Sequence, residues 1–205
     1  STIPNCVSYD PTFSYEVAVI IRDGMRRMYE EQENVFYYIT TLNENYTHEA
    51  MPKGCEEGIL KGMYLLKENK SKATKKKAAK VQLMGCGAIL NEVIAGAELL
   101  KKDFKVESDI WSVTSFNELA RDGINTTRHN LLNPEAKPKQ SFVESCLSGR
   151  EGPVIVSTDN VKAYAEQIRA YVPNSYTVLG TDGFGRSDSR ENLRRFFEVD
   201  RYFVV

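Results

Sequence analysis

The sequence is poor in the residues that enzymes most often use for chemistry, with 2 His, 1 Trp and 4 Cys among 205 residues. His48 and His129 lie far apart, and neither has a second His or Cys at ligand spacing, which argues against a histidine-based metal centre. Cys6, Cys55, Cys86 and Cys146 are widely separated and form no C-x-x-C, a distribution that fits reduced thiols better than a disulfide framework. There is no G-x-S-x-G elbow, no G-x-x-x-x-G-K-[ST] phosphate loop and no H-E-x-x-H. No apolar run approaches the ~20 residues of a membrane span, and no basic-then-apolar leader is present. Charge of one sign is also missing. With 27 basic and 28 acidic side chains the net charge is −1, so neither nucleic acid nor membrane is expected as a partner.

What is present is an ordinary globular composition, 41% hydrophobic and 27% charged, long enough to bury roughly 70% of its unfolded surface. Residues 1–11 read as a lead-in with turn chemistry around Pro4 and Pro11. Val17, Ile20, Ile21, Gly24, Met25 and Met28 then follow helical spacing, and 34–42 is β-branched and aromatic like a strand buried on both faces. A helix and strand cut off from a sheet are expected to dock poorly or to pair with another chain. The aperiodic stretch 47–54 reads as an interdomain linker, with His48 solvated. Domains are therefore expected at 1–46 and 55–205.

Ile59, Gly62, Met63 and Leu66 place 56–67 on one amphipathic helix, and the lysines at 70, 72, 75, 76, 77 and 80 suggest a mobile, dispensable surface loop. From Val81 onward strands and helices alternate: strands at 81–84, 109–113, 153–156 and 176–179, helices after each, and a capping box at Ser115-Phe-Asn-Glu118. Pro134 and Pro138 fall in a crossover of short helices. The chain stops inside Tyr202-Phe-Val-Val205, which reads as an unfinished strand of a longer protein. The fold class is α/β, a three-layer α/β/α arrangement on a mainly parallel sheet of about five strands, with the last strand as the candidate antiparallel edge.

Two glycine turns are the candidate sites. Gly85-Cys-Gly87 opens like a dinucleotide fingerprint, with Glu107 and Asp109 as possible ribose acids, but Leu90 stands where the third glycine belongs. Leu179-Gly-Thr-Asp-Gly-Phe-Gly-Arg-Ser-Asp-Ser-Arg-Glu-Asn-Leu-Arg194 reads as strand, turn and immediate helix, with Ser187 or Asp188 as cap. Asp182, Gly183, Gly185, Arg186, Ser187 and Asp188 put N–H groups, carboxylates and a guanidinium in one turn. They cap their own helix, hold an anion, or meet a carboxylate or carbonyl across a domain or subunit boundary. A free-standing nucleotide- or anion-binding domain is the alternative reading of both turns.

Several long words of the sequence resemble one family: Ile3-Pro-Asn-Cys-Val-Ser-Tyr-Asp-Pro11, Tyr15-Glu-Val-Ala-Val-Ile20, Tyr37-Tyr-Ile-Thr-Thr-Leu-Asn-Glu-Asn-Tyr46, Ser112-Val-Thr-Ser-Phe-Asn-Glu-Leu-Ala-Arg-Asp-Gly123 and 179–193. Together they are similar to the C-terminal part of the homodimeric bacterial pyruvate dehydrogenases of the transketolase superfamily. The resemblance implies the tail of a pyrimidine-binding middle domain followed by a transketolase C-terminal-type domain. It also implies thiamine diphosphate and Mg²⁺ held between other domains of opposite subunits, and an acetyl group passed to a lipoyl acyltransferase in the cytoplasm. The family's diphosphate and metal motif and its active-site histidine segment do not match any residues here. No catalytic, cofactor-binding or metal residue is therefore carried over, and the segment is expected to serve assembly.

Overall fold

The computed structural model describes residues 2–69 and 79–205. It begins with β1 (Cys6–Tyr9), α1 (Ser14–Met25), a π-helical turn at Arg26–Glu30 and β2 (Phe36–Ile39), the two strands pairing in parallel. Then come α2 (Glu56–Lys61), β3 (Met63–Asn69), β4 (Lys80–Gly85), α3 (Ile89–Leu99), β5 (Glu107–Val113), α4 (Phe116–Leu132) and α5 (Phe142–Leu147). The chain closes with β6 (Val154–Ser157), α6 (Lys162–Glu166), β7 (Tyr176–Leu179), α7 (Arg190–Phe196) and α8 (Arg201–Val204). The expected α/β class holds, with a five-stranded sheet in the order β3-β5-β4-β6-β7. Alternate strand residues feed two cores, as a pleated strand requires. Leu83, Ile110 and Ile155 pack with α3 and α8 on one face, while Met84, Trp111, Val113, Val154 and Val156 pack with α4, α5 and α6 on the other.

The antiparallel edge is β3, the first strand of this sheet and not the last. Periodicity alone had joined it to the preceding helix. Gly62 ends α2 at φ +107, and a Cβ there would stand 2.5 Å from the Ser115 carbonyl oxygen, so the chain turns out of the helix where only glycine fits. The expected C-terminal strand is instead α8, because Asp200 Oδ1 accepts from the N–H of Tyr202 and starts a helix whose Val204 is buried.

The N-terminal segment departs from expectation in four ways. Residues 6–9 are a strand and not a lead-in turn. β2 is half-buried on one face, through Tyr37 and Ile39, and open on the other, where Phe36 and Tyr38 are exposed. α1 is rotated: Glu16, Val19, Ile20 and Gly24 face inward while Ile21 and Met25 face out. Finally, the segment docks closely. Val7, Tyr9, Val19 and Ile20 share a core with Cys55, Ile59 and Tyr64. The rotation follows from Glu16, which is fully buried and accepts hydrogen bonds from the N–H groups of Thr12 and Phe13, from Tyr64 Oη (2.6 Å) and from Ser112 Oγ (2.6 Å). A buried carboxylate must be surrounded by donors, and satisfying Glu16 turns the helix. His48 is exposed, as expected, but engaged: its Nδ1 accepts from the N–H of Ser14 (2.8 Å) and its ring stacks on Tyr46. The lysine stretch 70–78 lies outside the described residues. Lys80 belongs to β4, where its Nζ pairs with Asp109 at 2.9 Å.

Candidate functional site

β4, β6 and β7 run parallel and end on one side of the domain. β5 flanks β4 on one side and β6 on the other, so the chain reverses direction across β4 and leaves a crevice at the carboxyl ends of β4 and β6, the usual ligand position in such sheets. Both glycine turns open onto this end.

The first turn is covered by the protein's own N-terminal segment. The Gly87 N–H donates to the Asp10 carbonyl (3.2 Å), Thr12 Oγ1 donates to the Gly87 carbonyl (2.9 Å), and the Asp10 N–H donates to the Thr114 carbonyl at the end of β5 (2.7 Å). The Asp10 carboxylate accepts from Thr40 Oγ1 and Tyr164 Oη, both at 2.6 Å. A Cβ on Gly87 would meet Leu42 at 3.2 Å. Nor are ribose acids available. Asp109 pairs in register with Gln82, three positions and roughly 10 Å down the sheet from the Gly85 turn. It is fully buried and bound by Gln82 (3.0 Å), Lys80 and Arg150 (3.1 Å). Glu107 lies further still from the turn, at the start of β5. The dinucleotide reading of Gly85 and Gly87 is thus overturned. Cys86 beside them is buried against Thr158, and that burial pushes its thiol well above the ordinary range, so it is no nucleophile.

The second turn is a loop of ten residues, 180–189, and the helix does not start at once. At its base Thr181 N–H donates to the Asn160 carbonyl (3.0 Å), and Asp182 Oδ1 accepts from the Lys162 N–H (2.9 Å). Beyond that the loop leaves the body of the protein. Gly183 has φ +93, no atom would touch a Cβ on Gly183 or Gly185, and Phe184 between them is 95% exposed. The Arg186 guanidinium lies 3.9 Å from the ring centroid of Phe196. The cap of α7 is neither Ser187 nor Asp188 but Ser189, whose Oγ accepts from the Asn192 N–H (3.3 Å). Asp188 accepts from Asn192 Nδ2 (2.8 Å) and the Ser189 N–H (2.7 Å), contacts that hold its carboxyl below the usual range.

Between the loop, α7 and residues 42–44 the crevice widens to about 360 Å³, with Leu42, Ala88, Leu193 and Phe197 among its walls. Arg194 is held by Glu44 (2.6 Å) and Arg190 by Asn43 Oδ1 (2.7 Å). Asp159, after β6, also lines it, and the protein packed around that carboxyl pushes its pKa up against the pull of Arg194. Among the described residues no group of three His, Cys, Asp or Glu is placed to hold a metal, and no helix is long and apolar enough to cross a membrane. Asp159, Phe184 and the docking of Asp10 were missed by the sequence analysis. A lone Phe between two glycines was a visible signal for Phe184, whereas nothing local marks the other two.

A five-stranded mixed sheet with this topology and end crevice defines a class, and the chain belongs to it: the model of the transketolase-like C-terminal domain family matches residues 62–200. The model of the pyruvate dehydrogenase E1 component middle domain matches residues 1–49. The whole chain is 64% identical to a pyruvate dehydrogenase E1 component of Pseudomonas aeruginosa, of which it covers 23%, and 56% identical to that of Escherichia coli, of which it covers 22%. It therefore spans less than a quarter of the length of these curated relatives. Among solved structures, a Campylobacter jejuni transketolase superposes with TM-score 0.64 at 16% identity, over 99% of this chain and 26% of that one. A split-gene transketolase described as an inactive β4 tetramer gives 0.57 at 12% identity, over 100% and 57%. At such identities the likeness is one of fold. The resemblance read from the sequence is borne out by the curated relatives, and the α/β class by both.

Proposed function

We propose that this chain is the C-terminal region of a thiamine-diphosphate-dependent pyruvate dehydrogenase, an oxidoreductase that decarboxylates pyruvate and passes the acetyl group to a lipoyl carrier. The observation that carries the reading is identity of 64% running the full length of the chain into an E1 component. In this reading residues 1–46 end a middle domain, 47–54 link, and 55–205 form the third domain. The parent enzyme is a cytoplasmic homodimer that works with a lipoyl acyltransferase.

Thiamine diphosphate with Mg²⁺ would supply the carbanion chemistry of the parent enzyme. The residues present do not by themselves fit that group. Of the carboxylates near the glycine turns, Asp10 is engaged by Thr40 and Tyr164, Asp182 by the Lys162 N–H and Asp188 by α7, while Asp159 belongs to no group of three His, Cys, Asp or Glu that could hold a metal among the described residues. No step of the reaction is routed through them. The role assigned to this segment is assembly: Glu16 and Asp10 fasten the end of the middle domain to the third. The apex of 182–188, with Phe184 bare and Gly183, Gly185, Ser187 and Asp188 around it, meets a neighbouring domain or the second subunit. An exposed aromatic on an open loop is the kind of anchor that interfaces bury. The test has two arms. The 205-residue chain alone neither decarboxylates pyruvate nor takes up thiamine diphosphate with Mg²⁺, and micromolar binding by calorimetry would overturn this. In the full-length enzyme Phe184→Ala shifts the dimer toward monomer by about tenfold or more in sedimentation equilibrium. An unchanged dimer removes the loop from the interface.

A further inference from the structure

The crevice at the carboxyl ends of β4, β6 and β7 holds two charged groups that the fold does not use. Arg190 and Arg194 are occupied by Asn43 and Glu44. Arg186 is different: its guanidinium is steadied on the Phe196 ring and pairs with no carboxylate among the described residues. The Asp159 side chain, exposed where it lines the same space, accepts no hydrogen bond from any described residue. The backbone N–H groups of 183–186 donate to no described residue either, and the open Cβ positions of Gly183 and Gly185 leave them approachable. Between these polar groups the walls are apolar, with Leu42, Ala88, Leu193 and Phe197. A guanidinium fork with free N–H groups selects a phosphate or carboxylate, an unpartnered carboxylate selects a donor, and an apolar surface between them suits a flat ring. The volume of about 360 Å³ lies in the range of small-molecule sites.

We propose that this crevice binds a small organic phosphate of the nucleoside monophosphate class, with the phosphate on Arg186 and the 183–186 N–H groups, the ring over Leu193 and Phe197, and an exocyclic amine donating to Asp159. The inference does not rest on the parentage or the assembly role argued above. Its site is the second glycine turn and not the first, which the Asp10 segment already fills.

The probes are adenosine monophosphate, adenosine and inorganic phosphate, each titrated calorimetrically into the 205-residue chain. Adenosine monophosphate binds saturably, one per chain, and at least about tenfold more tightly than either fragment, because both ends are recognised. Arg186→Gln weakens adenosine monophosphate by about tenfold or more and leaves adenosine unchanged. Asp159→Asn weakens the nucleotide and adenosine and leaves phosphate unchanged. Circular dichroism establishes that both variants are folded. Absence of saturable nucleotide binding at millimolar concentration overturns the proposal. So does phosphate binding as tightly as the nucleotide, which would reduce the site to an anion rim, or nucleotide binding that survives Arg186→Gln.

Discussion

The two glycine turns sit at the same end of the same sheet, yet one is a filled joint and the other an open loop. After β4, the 85–87 turn is capped by Asp10, Thr12 and Leu42, and its polar groups are satisfied by the chain itself. After β7, the 180–189 loop is tied to the chain at its base through Thr181 and Asp182 and at its far end through Arg186, Asp188 and Ser189, and leaves Phe184 in solvent. The difference teaches that a glycine pair after a parallel strand permits close approach without saying what approaches. At the first turn the approaching group is the protein's own strand end, and at the second no described residue approaches Gly183 or Gly185.

Substitutions at the two turns should separate them by size of effect. Gly85→Val should be the most damaging. Its Cβ would stand 2.9 Å from Leu90 Cα, so the α3 backbone must move, at a cost of about 3 kcal/mol or more in urea denaturation. Asp10→Ala should come next, at about 1–2 kcal/mol, since the partly buried hydroxyls of Thr40 and Tyr164 lose the Asp10 carboxylate as acceptor. A loss below about 0.5 kcal/mol would mean that the joint over the first turn is only incidental contact. Gly183→Val should cost about 1–2 kcal/mol through its positive φ alone, as the space around it is empty. Arg186→Ala should leave thermal melting within about 0.5 kcal/mol, as exposed substitutions do. If it unfolds the chain, the second turn is as internal as the first.

The smallest expected effect is one of pH. Because the protein packed around one side of the otherwise exposed Asp159 raises its folded-state pKa, the native state holds that proton more tightly than the unfolded state. Its stabilisation is complete below the unfolded carboxylate pKa and is lost as pH rises through the folded value. Asp159→Asn should therefore raise the melting temperature slightly at neutral pH and not at pH 3. A larger gain in acid than at neutrality would reverse the assigned sign.

Much of this was legible before any coordinates. The run from Val81 to Leu179 alternates apolar strand words with helical faces, and the observed strands fall on those words within a few residues because β4, β5 and β6 are largely buried on both faces and β7 on one. The N-cap at Ser115 was legible as well, since Ser115 Oγ does accept from the Glu118 N–H (3.0 Å), while the Glu118 carboxylate, expected to complete a capping box, pairs with Arg121 (3.0 Å). The misreadings cluster where one residue overrides a pattern. Gly62 breaks a helical period that continues through Leu66, and Asp200 starts a helix in a stretch of strand-like aromatics. On α1, the pull of Tyr64 and Ser112 on Glu16 defeats the apolar count on the opposite side.

Local pattern thus determined the class of fold, the order of its central elements and the kinship to the E1 components, since periodicity and word identity are properties of the chain itself. Tertiary structure decided which glycine turn is open. The partners of Gly87 at Asp10 and Leu42, and of Tyr164 at Asp10, lie far away in sequence, and no local pattern encodes a contact between segments so distant. It also decided that Arg186 and Asp159 line one crevice. That meeting depends on β6 and β7 ending side by side, which is fixed by the register of Ser157 with Leu179 and by nothing in either turn.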